Sequence, residues 1–155
     1  MDVIGPGGGG FTPAAFCLFL GDDAALPAIG RCLEALPAVS RALALIEVDG
    51  PEDEQGFATT AAVEIRWLYR RGAAPGTTGL LFDALRAVEF PPGEADIQVW
   101  AGLEYEAFRR IRHYLRETRG VPKGRQLVVS YWRRGAEQKS LAAAAVNLGR
   151  RLFGG

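Results

Sequence analysis

Five short apolar runs, spaced along the chain with helical patterns or polar loops between them, constrain this chain more than any other feature. They are FCLFL at 16–20, ALALIEV at 42–48, AAVEIRWL at 61–68, IQVWA at 97–101 and LVVS at 127–130. Runs that are apolar almost throughout belong to strands buried on both faces. Strands separated by helical segments pair in parallel through right-handed crossovers. The expected fold is therefore α/β: a doubly wound, mostly parallel five-stranded sheet built from repeated βαβ units.

The helices between the runs follow from periodicity and stop signals. Leu26, Ile29, Leu33 and Leu36 recur at three to four residues, Pro27 fits only a first turn, and Pro37 marks an exit, so a helix begins near Asp23. A second covers Gly79 to Ala87, preceded by the loop PGTTG and ended by PPG at 91–93. A third runs from about Tyr105 to Arg119, burying Phe108, Ile111 and Leu115 and showing Arg109, Arg112 and Arg116 on its other side. Gly120 and Pro122 stop it. A fourth, Glu137 to Leu152, places Leu141, Ala145, Leu148 and Leu152 on one face. Residues 1–12 read as a linker, 13–135 as the domain and 136–155 as a carboxyl-terminal amphipathic helix.

Composition removes several classes of function. Eighteen basic residues balance eighteen acidic ones, so no global field draws the chain to nucleic acid or an anionic membrane, and any anion site must be local. No apolar run approaches the ~20 residues of a membrane span, and the amino terminus has no signal pattern. Cys17 and Cys32 fall on apolar faces and read as buried small hydrophobes. A soluble protein of the reducing cytoplasm is expected.

The single histidine, His113, sits among arginines on a helix, which suits a solvated surface position better than a metal site or triad. None of Ser40, Ser130 and Ser140 lies in a G-x-S-x-G elbow. Glu104 and Glu106, two positions apart at a helix start, favour the helix dipole rather than acid–base pairing. The glycines at 7–10 lack the following Lys-Ser/Thr of a P-loop.

What remains lies at strand carboxyl ends, where open parallel sheets bind ligands. After the first strand, Gly21, Asp22, Asp23 and Ala24 open a helix whose backbone N–H groups can receive a pyrophosphate. The alternative is that one aspartate caps the helix and both favour its dipole. After the third, Arg70 and Arg71 suit a 2′-phosphate, which favours NADPH, and Trp67 or Tyr69 can flank an adenine. The plainer reading is a basic loop beside a core tryptophan. After the fourth come Ala101, Gly102 and Glu104, with a glycine where backbone can approach a ring. After the fifth, Tyr131 and Trp132 offer π faces to a conjugated ring and Arg133 a fork for an anion, or else form an aromatic plug before a solvated turn.

These residues also carry a resemblance. GDDAALPAIGRCLEALP, the WLYRRG turn, VWAGLEYEAFRRIRHYLRETRGVP and SYWRRG, in this order and spacing, resemble the carboxyl-terminal domain of the siderophore-interacting protein family, the flavin-dependent ferric-siderophore reductases. The resemblance covers about Phe16 to Gly135. It departs from the family pattern at Ala24, where a hydroxyl residue is usual, and at Ser130, where glycine commonly precedes the YWR element.

The resemblance implies a domain similar to the NADP-binding domain of ferredoxin reductases. It would take NADPH or NADH and pass hydride to FAD held by a domain absent from this chain; IGPGG near the start resembles the end of that flavin domain. Reduced flavin would then reduce ferric siderophore and release Fe(II). The implied placements are Gly21 to Ala24 near pyrophosphate or ribose and Arg70 and Arg71 near the adenosine phosphate. Ala101 to Glu104 would lie near nicotinamide, Tyr131 and Trp132 beside the flavin or nicotinamide face, and Arg133 on the anionic siderophore. The competing expectation is a non-catalytic nucleotide-binding or docking module with the same fold.

Overall fold

The computed structural model describes residues 14–91 and 96–135. The expected linker and terminal helix lie outside the described residues. The chain runs β1 (Phe16–Asp22), α1 (Leu26–Glu34), β2 (Arg41–Val48), β3 (Ala62–Tyr69), α2 (Leu80–Arg86), β4 (Ile97–Glu104), α3 (Tyr105–His113) and β5 (Gln126–Trp132). All five strands are parallel, in the order β3-β2-β1-β4-β5. The α/β, doubly wound reading holds: α1 packs on one face, α2 and α3 on the other.

Alternation along the strands sorts the core into two layers. Cys17, Phe19, Ala42, Ala44, Ile46 and Trp100 face α1, where Ala28, Ile29, Cys32 and Leu33 meet them. Leu18, Leu20, Leu43, Leu45, Val99, Ala101 and Leu103 face α2 and α3, meeting Leu81, Leu85, Ile111 and Leu115. The three central strands are thus buried on both sides, which is why they read as continuous apolar runs.

Several boundaries differ from the sequence reading, each for a local reason. α1 starts at Leu26 because Asp22 to Leu26 first form a turn, with the Ala25 and Leu26 amides donating to the Asp22 and Asp23 carbonyls. β4 runs on through Gly102 to Glu104, and β5 through Tyr131 to Trp132, so those residues lie within strands rather than after them. The third helix is α-helical to His113 and finishes as a π turn over Tyr114–Thr118. Val121 N–H then returns to the Leu115 carbonyl at 2.8 Å. Between β2 and β3 there is no α-helix, only a 3-10 turn at Pro51–Asp53, so this interval is not a βαβ unit of the expected kind. Phe57 from that connection packs against the α1-side core.

Candidate functional site

Strand order reverses between β1 and β4, whose connections leave to opposite faces; in open α/β sheets this is where a ligand crevice forms. Gly21 and Gly102 are register partners there. A Cβ on Gly21 would lie 2.7 Å from both Ala25 Cβ and Ile29 Cδ1, and one on Gly102 3.0 Å from Ala25 Cβ and 2.9 Å from the Trp100 ring. The missing side chains let the start of α1 press against the strand ends. The space beside Gly102 is therefore filled by protein, not left open for a ring.

A cavity of about 270 Å³ opens over these strand ends. Its walls bring Asp22, Glu47 and Glu104 from the ends of β1, β2 and β4 together with the loop Gly76–Gly79, Phe82 of α2 and Arg110 of α3. Gly76, at φ +80°, lies so close to the Trp132 indole that a Cβ would stand 2.9 Å from it. The Trp132 Nε1–H donates to Asp22 Oδ2 at 2.8 Å, linking the last described strand to the first. Asp22 Oδ1 accepts the Ala24 amide at 3.0 Å.

Carboxylates organise the rest of the rim. Glu104 caps α3 by accepting the Glu106 amide at 2.8 Å and holds the chain after β5 through the Arg134 amide at 2.9 Å. Arg70 turns inward, with its side chain only 4% exposed, and donates a two-pronged fork to Asp23 at 2.7 and 3.0 Å. It also reaches Glu47 at 3.3 Å, and Glu47 accepts the Thr78 hydroxyl at 2.7 Å. The Asp23 hydrogen bond leads in holding the Arg70 guanidinium more firmly protonated than usual. Partial burial works to raise the Asp23 carboxyl, but the Arg70 bond and charge outweigh it and leave the group below the ordinary aspartate range.

Burial pushes the Asp22 carboxyl above that range, although its bonds to Trp132 and Ala24 pull the other way. Folding thus favours protonated Asp22. The associated stabilisation is fully present below the unfolded value of about 4 and is lost as pH rises through the higher folded value. Urea denaturation of the wild type and Asp22→Asn should therefore show a difference that moves in favour of the wild type as pH falls from about 7 toward about 4. A flat difference would contradict the assignment.

Several sequence expectations need correction. Arg70 is not free for a 2′-phosphate, because two carboxylates already hold it. The amides of Ala24, Ala25 and Leu26, in the turn that leads into α1, are taken by Asp22 and Asp23, and residue 27 is proline, so these donors are not available to a pyrophosphate. Trp67 packs half-buried against the α1-side core, and Ala101 is fully buried on the opposite face. Tyr131 and Trp132 do not border one ring together: Tyr131 is the extra residue where the β4–β5 register shifts. It meets Trp100 edge-on at 5.8 Å, while Trp132 turns to Asp22 and Gly76. Arg71 is exposed at φ +52°, over the Tyr69 ring. Arg133 is exposed and stacked 4.6 Å above Tyr105.

The sequence reading missed Glu47, Thr77, Thr78, Phe82 and Arg110. Arg110 is the only cationic side chain lining the cavity among the described residues, poised 3.8 Å over the Phe82 ring. The available signal was PGTTG, which places two hydroxyls before a helix, but nothing local connected it to the end of β2.

An open, all-parallel α/β sheet with a cavity at its reversal point defines a domain of the doubly wound class. Residues 14–135 match the family model described as siderophore-interacting protein, and the chain belongs to that family. A siderophore utilization protein from T. fusca has a similar structure, with 44% identity and a TM-score of 0.75, covering 81% of this chain and 47% of that one. The siderophore-interacting protein SipS from Aeromonas hydrophila follows at 31% and 0.67, covering 80% and 53%. Ferric vibriobactin reductase ViuB of Vibrio cholerae is 28% identical over 144 residues, 90% of this chain and 52% of that protein. The chain spans about half the length of the curated relatives it matches.

Proposed function

We propose that this chain is the NAD(P)H-binding part of a flavin-dependent ferric-siderophore reductase, working with an FAD-binding domain outside the sequence. The observation that carries this reading is the cavity at the β1–β4 reversal, together with membership of a family in which ViuB bears the name of a ferric reductase.

The residues present suit a pyridine dinucleotide. Carboxylates at the ends of β1 and β2 match the hydroxyl donors of ribose and the amide donor of a carboxamide. Leu81 and Phe82 give the cavity an apolar wall, and Arg110 is placed for an anionic group. A volume of about 270 Å³ suits one ring and its sugar rather than a whole dinucleotide, so the remainder would lie along the open rim.

Bound nicotinamide would supply a hydride, and the task of this chain is placement and electrostatics. Asp22 fixes Trp132, Trp132 supports the Gly76 loop, and Glu104 fixes both the start of α3 and the segment carrying Arg133. Arg133, exposed on Tyr105, is the proposed contact for an anionic ferric siderophore, which is substrate here.

The division of labour is directly testable. Supplied with NADH or NADPH, added FAD and a ferric chelate, the 155-residue chain should bind nucleotide in calorimetry yet produce no Fe(II) by a chromogenic chelator. Turnover comparable to a complete reductase would place the electron carrier on this chain and refute the division. Absence of nucleotide binding would favour the docking module instead.

A further inference from the structure

We infer that this domain selects the dinucleotide without a 2′-phosphate, NADH over NADPH, because Arg70 is committed to Asp23 and Glu47 and the end of β2 meets the adenosine ribose with carboxylates. The inference rests on the nucleotide-binding reading above and assigns the specificity of that same site.

In doubly wound nucleotide-binding sheets, an acidic residue following the second strand receives the ribose hydroxyls. Acceptance of a 2′-phosphate instead needs an arginine nearby. Here the residue directly after β2 is Asp49, exposed, with Oδ1 accepting the Gly72 amide at 2.9 Å and Oδ2 left for a hydroxyl donor. Glu47, one turn of the pleat earlier, is buried and already bound to Arg70 and Thr78.

A 2′-phosphate brings roughly −1.5 to −2 charges at neutral pH. It would meet Asp49 together with exposed Glu52 and Asp53, whose carboxylate oxygens lie within 4.8 Å of one another. Two arginines stand at this end of β3. The Arg70 guanidinium is neutralised by two carboxylates and closed to solvent, so it cannot turn outward without stranding Glu47 in the interior. Arg71 is exposed and lies over the ring of Tyr69, whose hydroxyl is bonded to Glu54 of the same acidic connection. Arg70 is thus a positioning residue for Asp23 and Glu47 rather than a phosphate ligand. Like charges facing across an interface disfavour the wrong ligand more than they strengthen the right one.

The test is calorimetric titration of the full chain with NADH and with NADPH in EDTA, so that no divalent cation screens the carboxylates. Saturation-transfer NMR would rank the two if binding is weak. NADH is expected to bind at least about tenfold more tightly, a difference of about 1.4 kcal/mol. Equal or tighter binding of NADPH overturns the inference while leaving the nucleotide reading intact, whereas binding of neither overturns that reading and the inference with it.

Asp49→Asn keeps an acceptor for the Gly72 amide and removes the charge, so the preference should shrink by about fivefold or more. An unchanged ratio overturns the assignment to Asp49. Asp23→Asn combined with Glu47→Gln releases Arg70 and should move the ratio further toward NADPH. Because a purely structural role would change both affinities alike, the ratio is the decisive readout, and the wild-type ratio stands as a test even if the double variant fails to fold.

Discussion

Trp100→Ala is expected to lower stability by about 3–5 kcal/mol, the usual cost of removing a fully buried tryptophan. The side chain is 1% exposed in the α1-side core, lies under the bare face of Gly102 and meets Tyr131 edge-on. No neighbour on a strand can collapse into the space, because the backbone beside it is pinned in ladders on both sides. For a domain stable by about 5–15 kcal/mol, a loss of that size is a large fraction of the whole. Urea denaturation measures it directly; a loss below about 1 kcal/mol would show that the two strands are not packed through this residue.

Arg70→Ala is expected to follow at about 3 kcal/mol, because breaking a buried ion pair from one side leaves its partner uncompensated. Most of this should come from Glu47, whose side chain is 6% exposed, rather than from half-exposed Asp23. Arg70→Lys should rescue little, since an ammonium cannot reproduce the two-pronged contact with Asp23. The diagnostic measurement is a double-mutant cycle: Arg70→Ala with Glu47→Gln should cost clearly less than the sum of the single variants. Simple additivity would mean that the two side chains do not act as a unit.

The sheet was legible because central strands buried on both faces leave an unmistakable apolar signature, and the helices because Pro27, Gly120 and Pro122 punctuate their periodicity. Strand ends were less legible. Gly102 reads as lying beyond the fourth strand, yet it continues β4, packed closely against the start of α1; Tyr131 and Trp132 read as following the fifth strand, yet they prolong β5 through a register shift.

Much of the site was illegible for a different reason. Adjacent residues look alike in sequence while their side chains part company in space: Asp22 is buried and Asp23 exposed, Arg70 is inward and Arg71 outward. The pairings that decide their roles span 110 residues for Asp22 with Trp132 and 47 for Asp23 with Arg70. No local pattern encodes such distances.

The absence of a helix between β2 and β3 leaves the sheet unevenly guarded against local opening. Amides of β1 and β4, flanked by strands on both sides and covered by packed side chains, should exchange with deuterium only when the whole domain unfolds. β3 is an edge strand whose eight residues are all half-buried or exposed, with the Glu64–Arg66 pair on its outer face, so its amides should exchange through smaller fluctuations. Since Arg70 and Arg71 extend directly from that strand, the nucleotide-binding role proposed above would put the adenosine side of the rim on the labile margin and the nicotinamide side on the rigid one. A ligand bridging the two would slow exchange chiefly at β3, giving the dinucleotide a kinetic footprint on the half of the domain that packing protects least.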